Sequence, residues 1–127
     1  MKNRLIDWEL TGEIIAFAMA VHRDLGPGFL ESLYEEALCI ELDWLQISFE
    51  RQKRVPLYYR GRRIGEHRLD LVLDNCVVIE LKAIKALEAI HFTMVRSNMK
   101  ATGVESGLLL NFETMPLTIK RVGREGH

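Results

Sequence analysis

Two stretches of alternating residues hold the side chains best suited to chemistry. They are Arg68-Leu69-Asp70-Leu71-Val72-Leu73 and Cys76-Val77-Val78-Ile79-Glu80-Leu81-Lys82. Their period of two reads as a pair of strands. Leu69, Leu71 and Leu73 share one face of the first strand, and Val77, Ile79 and Leu81 share one face of the second. If both faces meet the same core, Leu69 falls opposite Leu81, Leu71 opposite Ile79, and Leu73 opposite Val77. That register sets Asp70 against Glu80 and Arg68 against Lys82 on the other face. It also requires a three-residue connection, or a bulge, around Asp74–Cys76, because a two-residue turn at Asp74-Asn75 would pair Asp70 with Ile79.

Facing carboxylates repel each other, and so do facing cations. A divalent cation between Asp70 and Glu80 relieves the first conflict, and hard oxygen ligands suit Mg²⁺. A phosphate near Arg68 and Lys82 relieves the second. Such a cation stabilises charge on a scissile phosphate and lowers the pKa of bound water, which a nearby lysine can orient or deprotonate. On spacing alone, an ion-pair ladder along the diagonals, Arg68 with Glu80 and Asp70 with Lys82, fits equally well.

The elements that must position these groups are legible from periodicity. Apolar residues from Leu10 to Leu25 recur at helical spacing, with Thr11 and Glu13 marking a start and Gly26-Pro27-Gly28 a stop. A second helix is expected over Phe29–Leu45. Ser48–Arg60 reads as an extended segment interrupted at Pro56, followed by a turn at Arg60-Gly61-Arg62-Arg63. After the strand pair come a helix over Ala86–Ala101, closed by Thr102-Gly103, and strands over Gly107–Phe112 and Leu117–Val122. The end, Arg124–His127, is expected to fray. The order α-α-β-β-β-α-β-β implies an α/β domain, residues 1–127, with a mixed central sheet flanked by helices.

Composition sets the bounds. A chain of 127 residues, 48% hydrophobic and 28% charged, suits one globular domain. No apolar run approaches the roughly 20 residues that span a bilayer, and acidic residues come too early for a signal peptide. Cys39 and Cys76 lie in no metal-ligand spacing and read as buried thiols in a reducing cytoplasm. Charge is uneven: residues 1–50 carry −7, residues 51–68 carry +6, and the remainder is neutral. The basic strip either steers a polyanion or forms a solvated sheet edge.

Asp70 followed by Glu80-Leu81-Lys82 resembles the D…(D/E)xK signature of the PD-(D/E)xK nuclease superfamily. Gly28-Phe29-Leu30-Glu31-Ser32-Leu33-Tyr34 matches the pattern that names the GxxExxY protein family. His22, Gly26-Pro27-Gly28, Arg68-Leu69-Asp70, Glu80-Leu81-Lys82-Ala83 and Gly107–Phe112 resemble that family in order and spacing. The resemblance implies a restriction-endonuclease-like core and a nuclease using Mg²⁺ or Mn²⁺ on DNA or RNA. It implies Asp70, Glu80, Glu31 and the Leu81 carbonyl as metal ligands, with Lys82 activating water. Arg68, Arg62, Arg63, His22 and Tyr34 are candidate nucleic-acid contacts. His22 also reads as an ordinary surface histidine, and Tyr34 as core with its hydroxyl satisfied.

One departure stands out. Relatives commonly carry a glutamine, and four residues later a tyrosine, on the helix after the ExK strand; those places hold Met94 and Asn98 here. Methionine cannot supply the glutamine's hydrogen bonds. The alternative is therefore a catalytically impaired nuclease-fold protein that binds nucleic acid or a protein partner. A homodimer is compatible with either reading.

Overall fold

The structure, a computed structural model, describes residues 4–123, with side chains from Trp8 onward. Helices α1 (Arg4–Leu25) and α2 (Glu31–Leu42) precede a hairpin of β1 (Phe49–Tyr59) and β2 (Arg62–Leu73). Then follow β3 (Val77–Lys82), α3 (Ala89–Thr102), β4 (Ser106–Asn111) and β5 (Thr118–Gly123), the order expected from the sequence. One sheet runs β1-β2-β3-β4-β5. Neighbours are antiparallel except β3 and β4, which are parallel and joined through α3.

Helices on both faces bury β3 from Val77 to Leu81 and leave Lys82 half-buried, which is why the strand reads as an apolar run broken by Glu80. On one face Ile14, Ala18, Tyr34 and Leu38 of α1 and α2 join Leu71, Val77, Ile79 and Leu81 in one core. On the other, Val95 and Met99 of α3 join Leu69, Val72, Val78 and Leu109. Among the described residues, no helix is long and apolar enough to cross a membrane. Cys39 and Cys76 are free and buried, as expected.

Several boundaries differ for local reasons. α1 begins at Arg4, and Thr11 lies inside it, its hydroxyl donating back to the Trp8 carbonyl at 2.9 Å. α2 ends at Leu42 and tightens into a 3₁₀ turn over Asp43–Leu45. β1 passes through Pro56, which pairs with Glu66; β1 is an edge strand, where proline is tolerated. The following turn shrinks to Arg60-Gly61, both at positive φ (49° and 76°), so β2 already starts at Arg62. α3 starts at Ala89, after Glu88 donates its N–H to His91 Nδ1 at 2.8 Å. Gly103 ends it at φ 76°, its N–H reaching the Met99 carbonyl. The expected fraying of Arg124–His127 lies outside the described residues.

In the central strand pair the expected connection is present. Leu73 pairs with Val77 across Asp74, Asn75 and Cys76, and the Cys76 N–H donates to the Leu73 carbonyl at 2.8 Å. Leu71 pairs with Ile79, also as expected, but the ladder stops there. Leu69 and Leu81, Asp70 and Glu80, and Arg68 and Lys82 are therefore not backbone partners in the β2–β3 ladder. Leu69 sits in the α3 core, whereas Leu71 and Leu73 sit in the core under α1 and α2.

The reason lies on β1. Gln52 has φ 51°, in the left-handed region, and the β1–β2 pairing passes from Arg51–Leu71 to Lys53–Leu69 without a Gln52–Asp70 pair. The strands roll at this step, and the simple alternation assumed across Asp70 inverts. Asp70 is thereby released from the ladder.

Candidate metal centre

Asp70 uses its freedom to replace the missing backbone pairing. Its Oδ2 accepts the Leu81 N–H at 2.9 Å, tying the parted ends of β2 and β3 together through a side chain. Its Oδ1 accepts a longer bond, 3.4 Å, from Gln52 Nε2. Glu80 points to the α3 side and is only 7% exposed; its Oε1 accepts Asn98 Nδ2 at 2.5 Å. Burial pushes the Glu80 carboxyl up to about 9, and the charge of Asp70 and a hydrogen bond with it add to the rise. The nearby positive charge of Lys82 and the bond from Asn98 oppose it. Asp70 and Glu80 thus meet through their side chains, not through the backbone register expected.

Lys82 ends β3, opposite Asn111 of β4, and its carbonyl accepts the Phe112 N–H at 2.8 Å. Asn111 is fully buried and grips Ile84 twice, Nδ2 donating to its carbonyl at 2.9 Å and Oδ1 accepting its N–H at 3.1 Å. This fastens the chain just beyond Lys82. An amide closing an apolar run, Leu108-Leu109-Leu110-Asn111, was the available signal for that role.

Glu31, the first residue of α2, accepts the Ala83 N–H at 3.1 Å through Oε2. It engages the segment after Lys82, apart from the Asp70–Glu80 pair. Among the described residues, no group of three or more His, Cys, Asp and Glu forms that could hold a metal. Asp70 and Glu80 nevertheless suit a hard divalent cation: they offer neighbouring carboxyl oxygens, and burial first, with the charge of Asp70 second, favours a proton on Glu80 when no cation is bound. Beside them Asn98 Oδ1 is buried without a hydrogen-bond partner, an acceptor awaiting a donor. Asn98, noticed in the sequence only as a departure, is therefore part of the site.

Two candidate contacts are not available to nucleic acid. Tyr34 is fully buried and stacks on Phe112 with ring centroids 4.5 Å apart. Its hydroxyl donates to the Gly26 carbonyl at 2.5 Å and accepts the Phe29 N–H at 3.2 Å, the satisfied core role anticipated. His22 is buried too, with Nε2 donating to the Thr114 carbonyl at 2.8 Å; it is not a surface histidine. Arg62, Arg63 and Arg68 are exposed on β2. Arg63 is paired with Glu66, as is Arg54, while Arg51 pairs with Glu35 and Glu36 and Lys53 with Glu50. Arg62 and Arg68 form no ion pair among the described residues. An open cleft of about 710 Å³ borders the segment after Lys82, between Gly28-Phe29-Leu30 and Glu113-Thr114-Met115.

A mixed sheet flanked by helices, with an Asp on β2 bonded to the ExK segment that ends β3, fits a restriction-endonuclease-like α/β domain. The family model of the PD-(D/E)XK nuclease superfamily matches residues 8–122, and the chain belongs to that superfamily. The crystal structure of SSO0001 shares the fold, with a TM-score of 0.57 over 72% of this chain at 14% identity. The chain spans about half of that protein's length, 48%. No curated protein matches the sequence significantly.

Proposed function

We propose that the protein hydrolyses phosphodiester bonds in DNA or RNA with a divalent cation, Mg²⁺ or Mn²⁺, held by Asp70 and Glu80 and by the Leu81 carbonyl. The observation that carries this reading is the meeting of the Asp70 and Glu80 carboxyl groups beside Lys82. When bound, the cation supplies positive charge for the phosphate and acidifies water. Asp70 is held for this role by the Leu81 N–H, and Glu80 by Asn98. Lys82 Nζ orients the attacking water and receives its proton. Arg62 and Arg68 offer charge to the phosphate backbone. Tyr34 and Glu31, which tie α2 to its preceding turn and to Ala83, and Gly28, whose N–H donates to Glu113 Oε1, support placement in the GxxExxY family. The free thiols support work in the cytoplasm.

Cleavage of DNA and RNA in Mg²⁺ or Mn²⁺ tests this, with Asp70→Ala and Lys82→Ala as controls. Loss of activity in both variants is expected; activity unchanged by either one overturns the proposal. Glu31's engagement with Ala83, and an exposed Met94 where relatives hold glutamine, favour a second reading: a binding protein without turnover. That reading predicts salt-dependent retention of nucleic acid and no cleavage.

A further inference from the structure

We propose that Gln52 is a positioning residue for Asp70, supplying from β1 an amide that the helix after the ExK strand lacks. The inference rests on the cation-dependent reading above and adds a residue to it. Gln52 occupies the left-handed region at φ 51°, a conformation an L-residue inside a strand adopts only when its surroundings impose it. The β1–β2 register runs on unchanged from Arg51–Leu71 to Lys53–Leu69, but the Gln52–Asp70 pair between them is not formed. From that backbone, the amide nitrogen donates to Glu35 Oε1 at 2.6 Å and to Asp70 Oδ1 at 3.4 Å.

Glu35 is itself fixed. It is buried, and its Oε2 accepts from Arg51 Nε and from a terminal guanidinium nitrogen of Arg51 at 3.2 and 3.1 Å. The chain of contacts therefore runs from the buried Glu35 carboxylate, itself paired with the exposed Arg51, through Gln52 to Asp70, whose other oxygen is held by the Leu81 N–H. Besides the bond that Asp70 makes with Glu80, each of its oxygens thus takes a donor, from Leu81 or from Gln52, which sets the carboxylate plane. Outer partners of this kind orient ligands and commonly govern metal affinity tenfold or more. A merely structural Gln52 would need neither the left-handed backbone nor the reach to Asp70, because Arg51 and Glu35 already join β1 to α2.

Two truncations separate the side chain from the backbone. Gln52→Gly removes the amide and accepts positive φ without strain, whereas Gln52→Ala removes the same amide and resists that φ. The readouts are the Mn²⁺ dissociation constant by calorimetry, the Tm in EDTA, and kcat and KM separately. Both variants are expected to raise the dissociation constant and lower kcat by about tenfold, with KM within about twofold; both lose the bond to buried Glu35 and some Tm, and Gln52→Ala should lose more. Wild-type affinity in Gln52→Gly overturns the inference, and so does an affinity loss that follows Tm and appears in Gln52→Ala alone. A wild-type protein that binds no Mn²⁺ overturns the cation-dependent reading itself, an outcome separate from wild-type binding that the variants leave untouched.

Discussion

Replacing Glu80 with glutamine probes the carboxylate pair with and without metal. In the metal-free protein Glu80 titrates near 9, against an ordinary value of 4.5. The unfolded chain gives up this proton first, so between those two pH values it binds fewer protons than the folded chain. The contribution to stability is therefore whole below the unfolded value and is lost as pH rises toward the folded one. At about pH 7.5 the window already crossed is about three units, or ~4 kcal/mol at ~1.4 kcal/mol each. Glutamine keeps the shape of the protonated acid: its carbonyl accepts from Asn98 and its amide donates to Asp70. Glu80→Gln is accordingly expected to stabilise the metal-free protein by roughly 2–4 kcal/mol at that pH, a Tm rise on the order of 10 °C. Near pH 4.5 it should change little. The assay is thermal unfolding in EDTA across pH, repeated with Mn²⁺, which should raise the Tm of the wild type and not that of the variant. A variant less stable than wild type in EDTA, or a difference that does not widen with pH, would refute the account of Glu80.

Other expectations follow from packing and burial. Tyr34→Phe keeps the stacking on Phe112 but strips the Gly26 carbonyl and the Phe29 N–H of their partner; a loss of ~1–3 kcal/mol is expected in urea unfolding, and no loss would show that the hydroxyl does not hold this turn. In Gly107→Ala the new Cβ would stand 2.7 Å from Met99 Sδ and 2.9 Å from Val95 Cγ1. That overlap should cost ~1–3 kcal/mol by the same measurement, and a neutral substitution would contradict the close approach of α3 to β4. Burial raises the Cys39 thiol from 9.0 to about 11, so it should resist a thiol reagent in the native protein and react only on opening. The unfolded thiol ionises first, so stability should decline between those two pH values; fast native labelling of Cys39 would rule this out.

The order of elements was readable because each segment carries one dominant period: the helical stripe of α1 and α2, the alternation of β2, and the continuous apolar run of β3. The connection at Asp74–Cys76 was readable because the pairings of Leu71 with Ile79 and Leu73 with Val77 leave three residues between. Leu69 was misplaced because the inversion at Asp70 originates on a different strand, in the backbone of Gln52, and glutamine is no signal for positive φ. Gln52 carries no signal in the sequence, and Asn98 stands out there only as a departure, for a related reason. Each owes its place to tertiary approach, one from α3 and one from β1, and neither local composition nor spacing encodes that. Boundaries moved where caps decided them, as at Glu88 with His91.

The costs in this fold are unevenly distributed. A glutamine held at positive φ, a glutamate buried next to an aspartate, and a buried amide oxygen without a partner each oppose stability. All three adjoin the same two carboxyl groups: Gln52 touches Asp70, Asn98 touches Glu80, and Glu80 is pushed up in part by Asp70. Defects of packing would scatter through both cores, but there the large side chains are buried in regular register and Tyr34, Asn111 and Glu35 have their polar groups satisfied. Costs gathered around these two carboxyl groups would share a remedy under the proposed function, because a single cation bound there would neutralise the carboxylates and its hydration would supply a donor for Asn98. Met94 then removes one amide without emptying the site, since the polar support comes from Asn98 one turn along α3 and from Gln52 across the sheet.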